Sequence, residues 1–259
     1  MSLRNLGLNS AFSSFFKKSK DLNQTVETVL DFRNATEESM KKIMTRSDKE
    51  LGGYSTAAFD VDKEAKAGHF HGYLSLDLPK ENPEVVRSGY AMFRTKDQQD
   101  SLLFGDSYWD WSPYEALVLR VRGDRRKYLV NIQANTPKMT DLYQHRLFLN
   151  TPGQWETVVI PIDDFVITNW GVIQDSNELN KLEIKTFGVG LLDKQYGPYS
   201  LQIDWVKVMT GAEVEKVTKD SRSTLVSGKL QEKDTNRPRD QGEAAFPTDS
   251  PQDPKDTVF

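Results

Sequence analysis

The stretch Asp110-Trp111-Ser112-Pro113-Tyr114-Glu115-Ala116-Leu117-Val118-Leu119-Arg120-Val121-Arg122-Gly123-Asp124 decides the fold class. Leu117, Leu119 and Val121 recur at every second position with Arg120 and Arg122 between them, as in a strand with one buried and one wet face. Ser112-Pro113 supplies a turn before this strand. Gly123 then frees the chain to turn back into a second strand at Tyr128-Leu129-Val130-Asn131-Ile132. Working outward, further strands are predicted over 28–32, 69–78, 88–94, 142–149, 156–160, 184–192 and 199–209, with Pro and Gly turns separating several of them. In 69–78 the pattern places Phe70, Leu74, Leu76 and Leu78 on one face and His69, His71 and Tyr73 on the other. Asn34 followed by Glu37 reads as a capping box opening a short helix through about Met44. Many short strands with one short helix near the start predict an all-β jelly-roll sandwich.

Composition divides the chain of 259 residues into an N-terminal segment over 1–25, a sandwich domain over 26–210 and a tail over 211–259. The tail holds four prolines, eighteen charges and no Trp or Tyr, too little apolar area to offset its ordering entropy, so disorder is predicted there. In the N-terminal segment Leu8, Phe12, Phe15 and Phe16 have the spacing of one helical face, and Arg4, Lys17, Lys18 and Lys20 supply positive charge without an acid among them. Such a segment is expected to direct organellar import or to touch an anionic membrane surface.

The formal charge of -4 gives no electrostatic reason to expect nucleic acid as a partner. With no cysteine, the chain has no disulfide, thiol nucleophile or thiolate metal site. No P-loop, zincin or nucleophile-elbow motif occurs. The three histidines are His69, His71 and His145; the first two share a strand face, but no carboxylate stands near them in sequence. Surface histidines are therefore expected, and no catalytic residue, cofactor or metal site. Gly188-Val189-Gly190 begins like a dinucleotide fingerprint, yet Asp193 stands where its third glycine belongs and a close-packed strand is the better reading. Asp106, Asp110, Asp163, Asp164 and Asp193 are carboxylates of the type that hold structural calcium, without a spacing that specifies a site. Tyr108, Trp109, Trp111 and Tyr114 cluster where two strands join. Tyr108, Trp109 and Trp111, together with Trp170, are the expected partner-binding residues, since large aromatics dominate interface energetics.

An ordered set of motifs accompanies this pattern. It includes Asp48 with Gly52-Gly53-Tyr54-Ser55, Gly68-His69-Phe70-His71-Gly72-Tyr73-Leu74-Ser75-Leu76, Gly89-Tyr90-Ala91 and the opening stretch through Asp124. It continues with Trp155-Glu156-Thr157-Val158-Val159-Ile160-Pro161, Asn169-Trp170-Gly171, Phe187-Gly188-Val189-Gly190-Leu191 and Leu201-Gln202-Ile203-Asp204-Trp205. In this order the chain resembles the complex I intermediate-associated protein 30 family, mitochondrial assembly factors for respiratory NADH:ubiquinone oxidoreductase. The resemblance implies a galactose-binding-like jelly roll and a non-enzymatic, chaperone-like factor at the matrix side of the inner membrane. Its implied partners are complex I subunits or membrane-arm assembly intermediates and other assembly factors. Arg125, Ile162 and Trp170 depart from the usual Gly, Phe and Arg of that family. A carbohydrate-binding module of jelly-roll type is the alternative, and a hydrolase using His69, His71 and His145 ranks last.

Overall fold

The structure is a computed structural model, and it describes residues 24–97, 108–169, 171–175 and 178–219. Two antiparallel sheets pack face to face as a β-sandwich. The first sheet runs β3 (Thr56–Asp62), β4 (Ala67–Leu74), β13 (Gly197–Met209), β6 (Ala116–Gly123) and β9 (Glu156–Pro161), with β1 (Val26–Asp31) also paired to β13. The second runs β11 (Val172–Ile173), β10 (Val166–Asn169), β8 (Asp141–Arg146), β7 (Tyr128–Ala134), β12 (Ile184–Leu191), β5 (Ala91–Thr95) and β2 (Ile43–Ser47). Strand β13 is long because one of its edges serves two partners in turn: Gly197 to Ile203 pair with β4, and Trp205 to Met209 with β1.

Alternation built the core as the sequence predicts. Leu117, Leu119 and Val121 point inward from β6, Phe70 and Leu74 from β4, and all are fully buried. They face Phe93, Val130, Ile132, Phe187 and Val189 of the second sheet, in one cluster. Phe70 meets Phe93 edge-on at 5.2 Å between ring centroids, and Phe59 meets Phe93 at 4.6 Å. Such pairs add specific geometry to the area that drives the two sheets together. Gly188, between the inward-facing Phe187 and Val189, is buried on the other face of β12, and a Cβ there would sit 2.5 Å from the Phe93 carbonyl oxygen and 2.8 Å from Arg94 Cβ. Backbone cannot yield as a flexible side chain can, so Gly188→Ala is expected to lower stability by about 1–3 kcal/mol in a urea titration. An unchanged midpoint would show that β5 and β12 can separate freely.

Three local expectations are corrected. The helix α1 is Glu37–Lys41, capped by Thr36 and not Asn34: Ser39 N–H donates to Thr36 Oγ1 at 3.2 Å, and Thr36 N–H donates to Ser39 Oγ at 2.9 Å. It stops early because Ile43 to Ser47 are taken up as β2 against β5. Strand β4 ends at Leu74 and leaves Leu78 half-exposed, since the next backbone donor, Ser75 N–H, bonds Ser55 Oγ at 3.0 Å instead of a sheet neighbour. Finally, residues 211–219 form a helix, α2, where composition predicts disorder. Its Val214 and Val217 cover Ala116, Val118 and Met209, a small second core on the outer face of the first sheet. The wet face of the opening strand is therefore dry at Ala116 and Val118, and wet only from Arg120 onward.

Candidate functional site

Beyond the patch that α2 covers, the outer face of the first sheet carries a polar row. Register sets Asp60 of β3 opposite His69 of β4, His69 opposite Gln202 of β13, and Gln202 opposite Arg122 of β6. Cross-strand neighbours on one face lie within side-chain reach. Arg122 Nε donates to Gln202 Oε1 at 2.5 Å, and Gln202 Nε2 donates to Asp62 Oδ2 at 2.6 Å. The Arg122 guanidinium also lies 5.2 Å over the Trp155 ring, a cation–π contact. Asp62 also accepts the backbone N–H groups of Ala65 and, to smaller effect, Glu64, which hold its carboxyl below the usual range.

The histidines sit at the other end of the row. Asp60 touches both: its Oδ2 is 2.8 Å from His71 Nε2 and its Oδ1 is 3.8 Å from His69 Nδ1. The two imidazoles stack with centroids 4.4 Å apart and planes 28° from parallel, as i, i+2 residues of a strand can. His69 Nε2 lies 2.9 Å from Ser200 Oγ. Burial, and secondarily the neighbouring His71, hold the His69 pKa below the ordinary imidazole value. Asp60, His69 and His71 form the one group of metal-competent side chains among the described residues, with ligand atoms within 4.8 Å of one another. His145 is not part of it. That residue lies on β8 in the second sheet, its ring 5.6 Å from Phe165 and 6.1 Å from Phe148, so the histidine trio considered from sequence does not assemble.

The aromatic cluster of residues 108–114 is real but faces mostly inward. Trp111 and Tyr114 are buried, and Trp111 stacks on Trp109 at 6.0 Å. Trp109 exchanges both backbone hydrogen bonds with Ile184, at 2.9 and 3.0 Å, which pins the segment against the start of β12. Trp111 therefore cannot be a partner anchor, because burying it in the core uses the area an interface would need. Tyr108 and Trp109 remain half-buried at the rim, with Lys185 Nζ 5.7 Å from the Tyr108 ring centroid. Trp170 and the N-terminal residues Arg4, Leu8, Phe12, Phe15, Phe16, Lys17, Lys18 and Lys20 lie outside the described residues. So does Asp106, whereas Asp193 is engaged by Arg126 at 2.8 Å.

Apolar side chains are exposed elsewhere. Val172 and Ile173, at 59% and 71% exposure, form the short edge strand β11. Hydropathy alone does not distinguish them from core residues; only the pairing of β10 with β8 shows that β11 is the last strand of its sheet.

These two sheets define a β-sandwich of the kind found in carbohydrate-binding modules. The family 11 module of Clostridium thermocellum, solved with a β-1,3-1,4-mixed-linked tetrasaccharide, superposes with a TM-score of 0.50 at 13% identity, over 72% of this chain and 96% of that one. At that identity the likeness concerns the fold only. Residues 30–203, more than half of the chain, match the family described as Complex I intermediate-associated protein 30 (CIA30), and the chain belongs to that family. The mitochondrial complex I intermediate-associated protein 30 of Neurospora crassa is 34% identical over 74% of this chain and 82% of its own length. The mouse protein of the same name is 31% identical over 72% of this chain, and the match spans only 57% of that relative.

Proposed function

We propose that the chain is a non-enzymatic, chaperone-like assembly factor that binds intermediates of respiratory complex I during membrane-arm assembly, at the matrix side of the inner mitochondrial membrane. The match of residues 30–203 to the intermediate-associated family, with relatives named mitochondrial, carries this reading. Its partners would be complex I subunits or intermediates together with other assembly factors. Among the described residues no helix is long and apolar enough to cross a membrane. Membrane contact or import is assigned to residues 1–25 on their apolar stripe of Leu8, Phe12, Phe15 and Phe16 and their basic Arg4, Lys17, Lys18 and Lys20. Deletion of the gene followed by native gels tests the role: a stalled membrane-arm intermediate is expected, and normal levels of mature complex I would overturn it.

For the partner surface we favour the exposed edge strand β11, which follows Trp170 in the sequence, with the half-buried Tyr108 and Trp109 beside β12 as a separate candidate patch. The apolar exposure of Val172 and Ile173 supports it, because large exposed apolar side chains grouped at an edge are an unusual surface for a chain acting alone. An exposed position tolerates a charge, so Ile173→Asp is expected to change stability by no more than about 0.5 kcal/mol. The same change is expected to weaken capture of the intermediate from solubilised mitochondria about tenfold, an interface loss of roughly 1.4 kcal/mol. Undiminished capture would move the interface elsewhere. Sugar binding keeps only the fold likeness behind it, since Trp111 and Tyr114, two of the four aromatics that motivated it, are buried.

A further inference from the structure

We propose that Asp60, His69 and His71 bind a divalent transition-metal ion on the outer face of the first sheet, with a coordination position open to solvent. The residue types and their placement carry the argument. Two imidazoles and a carboxylate suit zinc, copper, nickel or cobalt, whereas magnesium and calcium need more oxygen ligands than this group offers. Antiparallel pairing of β3 with β4 brings Asp60 directly across from His69, and the strand period returns His71 to the same face. The carboxylate already spans both rings, one oxygen toward each, at 2.8 and 3.8 Å. A tetrahedral zinc ion with bonds of about 2.0–2.2 Å needs its ligand atoms little more than 3 Å apart, so small side-chain rotations would admit one.

The surroundings match a ligand set more closely than a chance pairing. Metal-bound histidines have their second nitrogen anchored, which fixes tautomer and ring orientation. Here His69 Nε2 is held by Ser200 Oγ at 2.9 Å, which leaves Nδ1 directed to Asp60. Ser200 is itself tied down, its backbone N–H donating to Asp124 Oδ2 at 2.8 Å. The nearby carboxylate of Asp62 is not available as a ligand, being bonded to Gln202 and to the turn at Glu64 and Ala65. The His69 and His71 side chains are 26% and 35% exposed and Asp60 is 60% exposed, so an ion has direct access and keeps a position for water or for a side chain from a docked protein.

Calorimetric titration of the tag-free full chain with zinc chloride, after stripping with chelator, tests the site. One ion per chain is expected, with millimolar magnesium or calcium failing to compete. Asp60→Asn and His71→Ala should each weaken binding on the order of 100-fold, and Ser200→Ala, which removes only the anchoring partner, about tenfold. His145→Ala should leave the affinity unchanged. Circular dichroism of each variant separates lost ligands from lost fold. Absence of stoichiometric binding by the native chain, or equal affinity in the folded Asp60→Asn and His71→Ala variants, would overturn the proposal and leave a carboxylate hydrogen-bonded to a surface imidazole. Either result is independent of the assembly role, which is read on native gels.

Discussion

Asp193→Ala is expected to destabilise the sandwich by about 3–5 kcal/mol, because it leaves the Arg126 guanidinium inside the protein without its counter-charge. The Asp193 side chain is 0% exposed and that of Arg126 is 10% exposed. Two parallel hydrogen bonds join them, Nε to Oδ2 at 2.8 Å and Nη2 to Oδ1 at 2.9 Å. Arg126 then gathers the loop between β12 and β13 and the start of β13, donating to the Gln195 carbonyl at 2.7 Å and, more weakly, to those of Tyr196, Gly197 and Pro198. Planar forks of this kind are specific to arginine, so Arg126→Lys should also be costly. Replacing both partners, Arg126→Met with Asp193→Leu, should cost less than Asp193→Ala alone, since no charge is then stranded. Guanidinium titrations of the three variants check this ordering, and a loss below about 1 kcal/mol for Asp193→Ala would mean that the pair is effectively solvated.

Trp111→Ala should lower stability by a comparable amount, about 3–5 kcal/mol, through the cavity left by a side chain of 0% exposure. Trp111→Phe is expected to cost far less. It keeps most of the apolar volume and removes an indole Nε1–H that has no hydrogen-bond partner among the described residues. The contrast with Ile173→Asp separates core from interface: one variant moves the denaturation midpoint, the other the capture of a partner. If Trp111→Ala unfolds no more easily than the native chain, the residue is not where the packing places it, and its role as a partner contact would have to be restored.

Of the fold, what local spacing controls was legible in the sequence. The period of two in 117–121 and the turn at Gly123 made β6 and β7 readable without any partner, because alternation reflects a sheet with one buried face wherever that sheet lies. The same pattern placed Phe70 and Leu74 inward and His69 and His71 outward on β4. Tertiary structure decided everything that depends on register. Strand β3 was missed, as its short Ala57 and Ala58 weaken the alternation that Phe59 and Val61 begin, and with it went Asp60, the carboxylate that meets the histidines. Trp111 and Trp109 read alike as large aromatics in one segment; only the assembled core between the sheets buries the first and leaves the second partly exposed. Residues 211–219 have too few apolar side chains to order alone, and they become helical because Val214 and Val217 find Ala116 and Val118 already exposed on a finished sheet. Sequence thus sets which faces of each strand are apolar, whereas which strands lie side by side, and so which polar groups converge, is settled by long-range pairing that no local period encodes.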